Sequence, residues 1–526
     1  MAASEQQANK APQPQGDKSP SLLKSSSIVS AMTLLSRILG LVRDVLVASY
    51  FGARADAFFV AFKIPNFFRR LFAEGAFSVA FVPVLSEYKV QEKDIKGLVK
   101  AVSGTLLAII GPFTVVAVAA APILTWVFAP GFASDPEKFA LTSDLLRITF
   151  PYLLLISLTA FYGSVLNTYG QFAIPAVTPV LLNLCLIVAT LYFTPWFDEP
   201  LMALAWGVLL AGVTQLAFQL PFVMKLGLLA LPKPAFADVG VRRILKLMVP
   251  ALFGVSVSQI NMLLDILLAS FLETGSVSWL YYSDRLTQLP LGIFAIALAV
   301  VILPSLSQKH AAQNKQQFVV TLDWGVRIVL LIGLPASLAL IVLAEPLMMT
   351  IFYRGEITAY DIQKMAMSLR AYSAGLLAFM LIKVLAPGFY ARQDTKTPVK
   401  IGIKAMVTNM ALNIPLVLTL AHVGLALATT LSAYLNAVLL YMGLRKLGYY
   451  QTQPGWGLWI ARIVFSCGVL VAAIYAINPS SEAWHTFSEW QRMGWTSVLV
   501  VVGVLSYGTT LLLLGVRPRH LVMAKA

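Results

Sequence analysis

The sequence predicts an all-α polytopic membrane protein of about fourteen transmembrane helices, built as two parallel-repeat six-helix lobes around a central cavity plus two extra C-terminal helices. Three observations lead there. The 526 residues are 58% hydrophobic and only 12% charged, against about 25% charged in a soluble domain, and mean hydropathy is +0.78. Apolar stretches of about 20 residues, the length a bilayer core demands, recur along the chain. A weak duplication runs through them at a fixed offset.

Taken in order, residues 1–27 are rich in Gln, Pro, Ser and Lys. That composition cannot build a core and reads as a disordered cytoplasmic tail. No short apolar run with a small-residue cleavage site follows, so the tail is not read as a signal peptide. The spans are expected near 28–52, 56–86, 98–127, 140–167, 173–194 and 201–225, forming an N-lobe over 28–225. A cytoplasmic linker at 226–245 leads to spans near 246–272, 277–308, 325–352, 362–390, 398–419 and 423–444, the C-lobe over 246–444. Spans near 457–478 and 494–515 complete the set, within a C-terminal segment 445–526.

Loop charge orients these spans. The even-numbered loops hold Lys89, Lys93, Lys96, Arg242, Arg243, Lys309, Lys315, Arg392, Lys396 and Arg445, whereas the odd-numbered loops carry Asp135, Glu137, Asp198, Glu199, Glu273, Glu356, Glu482 and Glu489. The positive-inside rule then places both termini in the cytoplasm. The net charge of +15 is spread thinly over these loops, with no basic domain and no nucleic-acid motif, which argues against a nucleic-acid partner. Cys185 and Cys467 both fall in apolar runs and have neither disulfide-framework nor metal-ligand spacing.

The duplication pairs DVLVASYF at 44–51 with DILLASFL at 265–272, and VPVLSEY at 82–88 with LPSLSQK at 303–309, both 221 positions apart. The offset spans six helices. Six is even, so the copies share one orientation and are related by an axis along the membrane normal. Carriers of this plan hold their cargo between the lobes.

Charges inside the expected spans carry the functional signal. Span one holds Arg37, Arg43 and Asp44; span two holds Asp56, Lys63, Arg69, Arg70 and Glu74; span seven holds Asp265; span eight holds Asp284 and Arg285. Each charge at a helix centre costs roughly 2.5–3.5 kcal/mol on insertion scales, so these side chains must face a protein interior or a wet cavity. Arg43 is expected to pair with Asp44 or Asp56, and Arg285 with Asp284. Cations still outnumber acids, which suits an anionic cargo, and Arg is the residue type whose planar fork grips phosphate oxygens. Arg37, Arg43, Arg69 and Arg285 are the first candidates for cargo binding; Asp56, Lys63, Arg70, Glu74 and Asp284 are candidates for gating or secondary roles. Snorkelling of Lys63 and Arg70 to an interface is the plain alternative. Pro65 is expected to kink span two.

The chain has no P-loop, no Ser/His/Asp constellation and no zinc-ligand cluster, so no ATPase, hydrolase or zinc chemistry is expected. No cofactor is expected. The energy source is then an ion gradient, the membrane potential or the cargo's own gradient, and Asp265 is a candidate sodium ligand.

The stretches SRILGLVRD (36–44), DAFFVAFKIPNFFRRLFAEGAFSVAFVPVLSEY (56–88), GSVSWLYYSDRL (275–286) and APGFYARQDTKTPVK (386–400) resemble the MurJ/MviN family, lipid II flippases of the multidrug/oligosaccharidyl-lipid/polysaccharide exporter superfamily. The resemblance implies a transporter, not an enzyme, of the bacterial inner membrane. Its implied cargo is undecaprenyl-diphosphate-linked disaccharide-pentapeptide, needed for peptidoglycan synthesis. It implies that Arg37, Arg43, Arg69 and Arg285 match the family's cavity arginines, that Asp56 matches an outer-gate acid, and that 457–515 forms a groove for the lipid tail. It further implies membrane lipids and the cell-wall synthesis machinery as partners, and a monomer. The alternatives are a flippase for another polyprenyl-diphosphate-linked glycan, a drug/cation antiporter of the same superfamily, a polyprenyl-phosphate transferase and a non-transporting scaffold. An antiporter for organic cations calls for an acidic cavity, a transferase for outward carboxylates or a metal motif, and a scaffold has no need of buried arginines.

Overall fold

The structure, a computed structural model, describes residues 22–71 and 76–517. Most of the expected tail, and Glu74, lie outside the described residues. In chain order the helices are α1 (Leu22–Phe51), α2 (Ala55–Arg69), α3 (Ala76–Val90), α4 (Ile95–Ala119), α5 (Ala121–Phe128), α6 (Pro136–Thr149), α7 (Tyr152–Thr168), α8 (Ala173–Val188), α9 (Met202–Lys225) and α10 (Val239–Ala269). They continue as α11 (Ser276–Pro290), α12 (Ile296–Ala311), α13 (Lys315–Val342), α14 (Ala344–Phe352), α15 (Ala359–Tyr390), α16 (Lys396–Leu420), α17 (His422–Lys446), α18 (Trp456–Ile477), α19 (Ser481–Thr486) and α20 (Glu489–Leu513).

Among the described residues, 11 helical stretches are long and apolar enough to cross a membrane. The α1 helix, the α2–α3 pair and α10 bring the set to fourteen. These three carry Arg37, Arg43, Asp44, Asp56, Lys63, Arg69 and Asp265.

The repeat is visible in the elements themselves. Both α2 and α11 are 15 residues long, and their first residues, Ala55 and Ser276, are 221 positions apart. Each runs into a π-helical turn, at 70–71 and at Leu291–Ala295. Beyond these turns lie α3 and α12, each with an internal proline, Pro83 and Pro304. The third span of each lobe ends in a separate short helix, α5 after α4 and α14 after α13. Spans three and nine are therefore each two helices rather than one. Span four is also broken: α6 stops at Thr149 and α7 starts after Pro151, because proline supplies no N–H to continue the ladder.

At Pro65 the helix is not interrupted. The α2 helix runs through Pro65 to Arg69. Proline leaves the Ala61 carbonyl without its usual intrahelical donor, and the Thr149 hydroxyl of α6 donates to it instead at 3.1 Å. The lost bond is replaced from a neighbouring helix, so the helix need not break.

The packing shows how the lobes sit. In the first lobe α1 packs on α8, and α7 and α8 pack on α9; in the second, α13 and α17 pack on α15, and α16 on α17. Across the lobes α10 lies along α3, and α11 meets α2. One hydrophobic core covers both lobes at the end bearing the acidic loops, which loop charge predicts to be the outer end, and includes Phe59, Phe150, Tyr282, Phe352 and Leu369. Toward the basic, inner end the core divides. Phe77, Phe81, Phe161 and Val165 form one cluster, with Val241 and Ile244 of α10; Leu306, Phe318, Val384 and Phe389 form another. The lobes thus share one core at the outer end, while at the inner end α10 stays with the first-lobe cluster, held also by Arg243 to Glu87 at 2.7 Å, and the rest of the second lobe forms its own. The extra pair, α18 and α20, packs on α13 through Leu331, Trp459, Ile463, Cys467 and Leu511. Both cysteines are free thiols.

Candidate functional site: a cationic cavity between the lobes

Where the core divides, a cavity of about 470 Å³ opens between the lobes. From the first lobe come Arg43, Lys63, Asn66, Arg69 and Arg70; from the second come Asp265, Tyr281, Asp284, Arg285, Gln288, Tyr372 and Thr429. Five cations face two carboxylates in this lining. A second compartment of about 240 Å³ adjoins it and is lined by Ser36, Arg37, Leu41, Arg285, Gln288 and Leu289. Arg285 and Gln288 form the wall common to both compartments. Arg37, Arg43, Arg69 and Arg285 are thereby brought to two neighbouring compartments, with Lys63, Arg70, Asp284 and Asp265 around the larger.

The geometry centres on Asp44, which is 1% exposed. Arg43 reaches it through Nε at 3.0 Å and Nη2 at 2.5 Å. Arg285 of the opposite lobe places its Nε 3.1 Å from the other carboxylate oxygen. Tyr281, also from the second lobe, donates to Asp44 at 3.2 Å and accepts from Arg43 at 2.8 Å. Arg43 additionally donates to Asn183 on α8 at 3.0 Å. Arg285 was expected to pair with its sequence neighbour Asp284. Instead it turns to the more deeply buried Asp44 of the other lobe, and Asp284 accepts from Gln288 one turn on, at 2.7 Å. Arg43 does pair with Asp44, and Asp56 takes no part.

Two glycines let the arginines cross between the lobes. A Cβ built on Gly40 of α1 collides with the Arg285 guanidinium, and one built on Gly292, in the π-helical turn after α11, collides with the Arg37 guanidinium. Each lobe thus lays an arginine over a glycine of the other. Lys63 stands 5.7 Å from the Tyr281 ring centroid, and Arg70 approaches Gln259 of α10 at 3.5 Å. Asp265 accepts from Asn413 of α16 at 3.0 Å, and Asn413 donates in turn to Asn409 at 3.1 Å. No group of three or more His, Cys, Asp or Glu side chains gathers among the described residues.

Asp56 lies elsewhere, at the outer end, and is also 1% exposed. It crosses to the second lobe and accepts from the backbone N–H groups of Gly275 at 2.7 Å and Ser278 at 2.8 Å, and from the Ser278 hydroxyl at 2.6 Å. It thereby fills the role of an N-cap for α11, satisfying amides that otherwise lack partners. Lys138 sits 3.4 Å from the same carboxylate and donates to Thr274 at 3.1 Å. Two more contacts close this end, from the Glu356 amide to the Ser49 carbonyl at 2.9 Å and from the Gly131 amide to the Ser270 hydroxyl at 3.0 Å.

Sequence reasoning missed the neutral members of the site. Tyr281, Gln288, Asn183 and Asn66 carry little signal alone, since neutral polar residues are common in membrane helices. Gly40 had a readable cue: it lies midway between Arg37 and Arg43, three residues from each, where a bulky side chain would crowd the same face.

With this geometry in view, the comparisons are specific. A family profile described as MurJ, lipid II flippase MurJ, matches residues 47–493. A relative from Vibrio cholerae serotype O1, named probable lipid II flippase MurJ, is 50% identical over 511 residues, covering 95% of this chain and 97% of the relative. A solved structure titled lipid II flippase MurJ, inward closed conformation, superposes with a TM-score of 0.76 at 26% identity, covering 92% of this chain and 98% of that one. An inward-facing multidrug resistance MATE family transporter of the MOP superfamily shares the fold at a TM-score of 0.65 and 16% identity, covering 80% of this chain and 98% of that one. Fourteen charge-bearing and apolar spans, a two-lobe repeat and near-complete coverage at half identity agree: this chain is a multi-pass membrane protein belonging to the MurJ family of lipid II flippases.

Proposed function

We propose that the chain moves lipid II, the lipid-linked precursor of peptidoglycan, from the inner to the outer leaflet of the bacterial inner membrane by alternating access of its lobes. The diphosphate is held by Arg37, Arg43, Arg69 and Arg285, the sugar-peptide head occupies the wet cavity, and the polyprenyl tail remains in lipid along α18 and α20. Both termini lie in the cytoplasm.

One observation carries this reading: Arg43 and Arg285, from opposite lobes, meet on the single buried carboxylate of Asp44 beside a cavity whose lining holds five cations and two acids. Asp44 keeps both guanidinium groups oriented while the cavity is empty of cargo. A diphosphate offers the same forks more acceptor oxygens and more charge, and charge-assisted bidentate pairs are the strong ones. Its binding draws charge from both lobes to one ligand, a differential interaction able to bias their relative position. The single core at the outer end, and its division into two clusters toward the inner end, support loading of cargo from the inner side.

The cation surplus speaks against an antiporter for organic cations. Sodium coupling has residues to draw on: Asp265, Asn413, Asn409 and Thr429 lie in one chain of contacts, and the buried Asn413 Oδ1 has no partner among the described residues. This oxygen-rich set suits a hard monovalent cation, whose bound charge offsets that of Asp265.

Depletion of the protein in growing cells tests the cargo. Lipid II is expected to accumulate in the inner leaflet. Accumulation of another polyprenyl-diphosphate-linked glycan with lipid II unaffected overturns the assignment.

A further inference from the structure

Outside the central cavity, a second polar cleft of about 480 Å³ lies between α13 of the C-lobe and the inner end of α18. Its charged groups are Asp323, Arg327 and Arg462, and Trp324, Leu458 and Trp459 complete the walls that matter here. We propose that this cleft binds the phosphate of an anionic glycerophospholipid from the inner leaflet, clamping the extra helix pair onto the C-lobe.

The charges sort into a fixed pair and a surplus. Asp323 is 2% exposed and accepts from Arg327 at 2.8 Å, Tyr450 at 3.0 Å and Trp456 at 2.7 Å. Arg327 also donates to the carbonyls of Gln453 at 3.3 Å and Pro454 at 2.9 Å. That network fixes the entry to α18 and needs no ligand. It leaves Arg462, half-buried, with no acceptor for its guanidinium among the described residues. It also leaves Trp459, which is 8% exposed and whose buried indole N–H has no partner among the described residues. An unmet buried donor is expensive. The first turn of α18 has no side-chain cap, so its amides add positive partial charge at the same place.

Snorkelling to water accounts for Arg462 alone. It does not account for the indole N–H, which is shut off from water yet lines the same cleft. The depth favours a lipid over a soluble anion. Arg462 lies six residues into α18, roughly 9 Å along its axis, among tryptophans of the kind that mark a membrane interface. Val320 and Leu458 flank the opening and are 41% and 59% exposed, which gives acyl chains an apolar wall beside the phosphate.

The test uses the full-length protein in detergent, titrated with dioctanoyl phosphatidylglycerol, dioctanoylglycerol and inorganic phosphate, with bound adducts counted by native mass spectrometry. The phospholipid is expected to bind and the phosphate-free glyceride is not. Arg462→Gln is expected to weaken phospholipid binding about tenfold, as loss of a charge-assisted contact does, and Trp459→Phe, which removes only the N–H, about threefold. Arg285→Gln is expected to leave the affinity unchanged, which separates this cleft from the central cavity. Equal binding by wild type and Arg462→Gln overturns the proposal, as does equal loss in Arg285→Gln. Inorganic phosphate competing at equal concentration identifies a soluble-anion site and overturns the lipid assignment. If Arg462→Gln does not fold, Trp459→Phe decides alone: unchanged affinity with an unchanged melting temperature overturns the proposal.

Discussion

Two buried aspartates, Asp44 in the central cavity and Asp56 at the outer end, are equally hidden and both reach across to the second lobe, yet they are satisfied in opposite ways. Asp56 takes two backbone amides, a hydroxyl and one ammonium. Its partners belong mostly to the helix end it caps and have nothing left to offer a ligand. Asp44 takes two guanidinium groups and a phenol. Each guanidinium has five donors, far more than one carboxylate uses. The first arrangement makes a closed seal, and the second holds donors ready for a larger anion. The difference teaches that burial alone does not mark a binding residue; the surplus of donors around it does.

The largest effect is expected from removing that surplus. Arg43→Gln or Arg285→Gln should abolish lipid II transport, a fall of about a hundredfold or more as two charge-assisted contacts are lost, with membrane levels of the protein unchanged. Next comes the seal. Asp56→Asn retains one acceptor oxygen for four donors, so the outer end should open more often. In a background lacking Cys185 and Cys467, a cysteine at Leu280 should be labelled from the outer face about tenfold faster than with Asp56 intact, and an unchanged rate would place the seal elsewhere.

A smaller effect is expected at the crossing glycines. Gly40→Ala and Gly292→Ala force flexible arginine ends aside without opening the core. Transport should fall several-fold while the melting temperature shifts by only a few degrees, about what 1 kcal/mol moves a domain of this size. A large stability loss with normal transport per folded molecule would make these glycines packing residues only. The smallest effect is electrostatic and lies in the loop after α10. Burial pushes the Glu273 carboxyl up, but hydrogen bonds from Lys364 and Tyr360 outweigh it and hold it below the usual carboxylate range. A depressed folded value means that its stabilisation is present above the unfolded value of about 4.3 and is lost as pH falls through the folded one. The melting temperature of Glu273→Gln should lie slightly below wild type at pH 7 and converge with it under acid conditions. The exposure of the pair keeps the gap small.

Much of this architecture was legible because membranes make errors expensive. Charge sorting over the loops and the 221-residue offset located the spans and the repeat, and α2 and α11 start in that register. The cavity arginines stood out because a charge in a span needs a reason. What the sequence withheld depends on contacts between distant segments. Arg285 turns to Asp44 rather than Asp284 because the other lobe supplies a nearer and more buried acceptor. Span two stays helical through Pro65, and Thr149, far along the chain, replaces the missing donor. The breaks after α4 and α13 fall in apolar sequence and are marked only by Pro122 and Pro346 in the first turn of the helix that follows, a cue that hydropathy alone reads through.

The central claim is that cations gathered from both lobes carry a lipid diphosphate across the membrane. The most direct measurement is made in cells whose sole lipid II flippase is this chain, using an enzyme that cleaves the lipid II diphosphate only from the outer face. With the wild-type chain, lipid II is expected to be cleaved; with Arg285→Gln at equal membrane abundance, it is expected to stay protected and to accumulate. Equal cleavage with the two proteins contradicts the account.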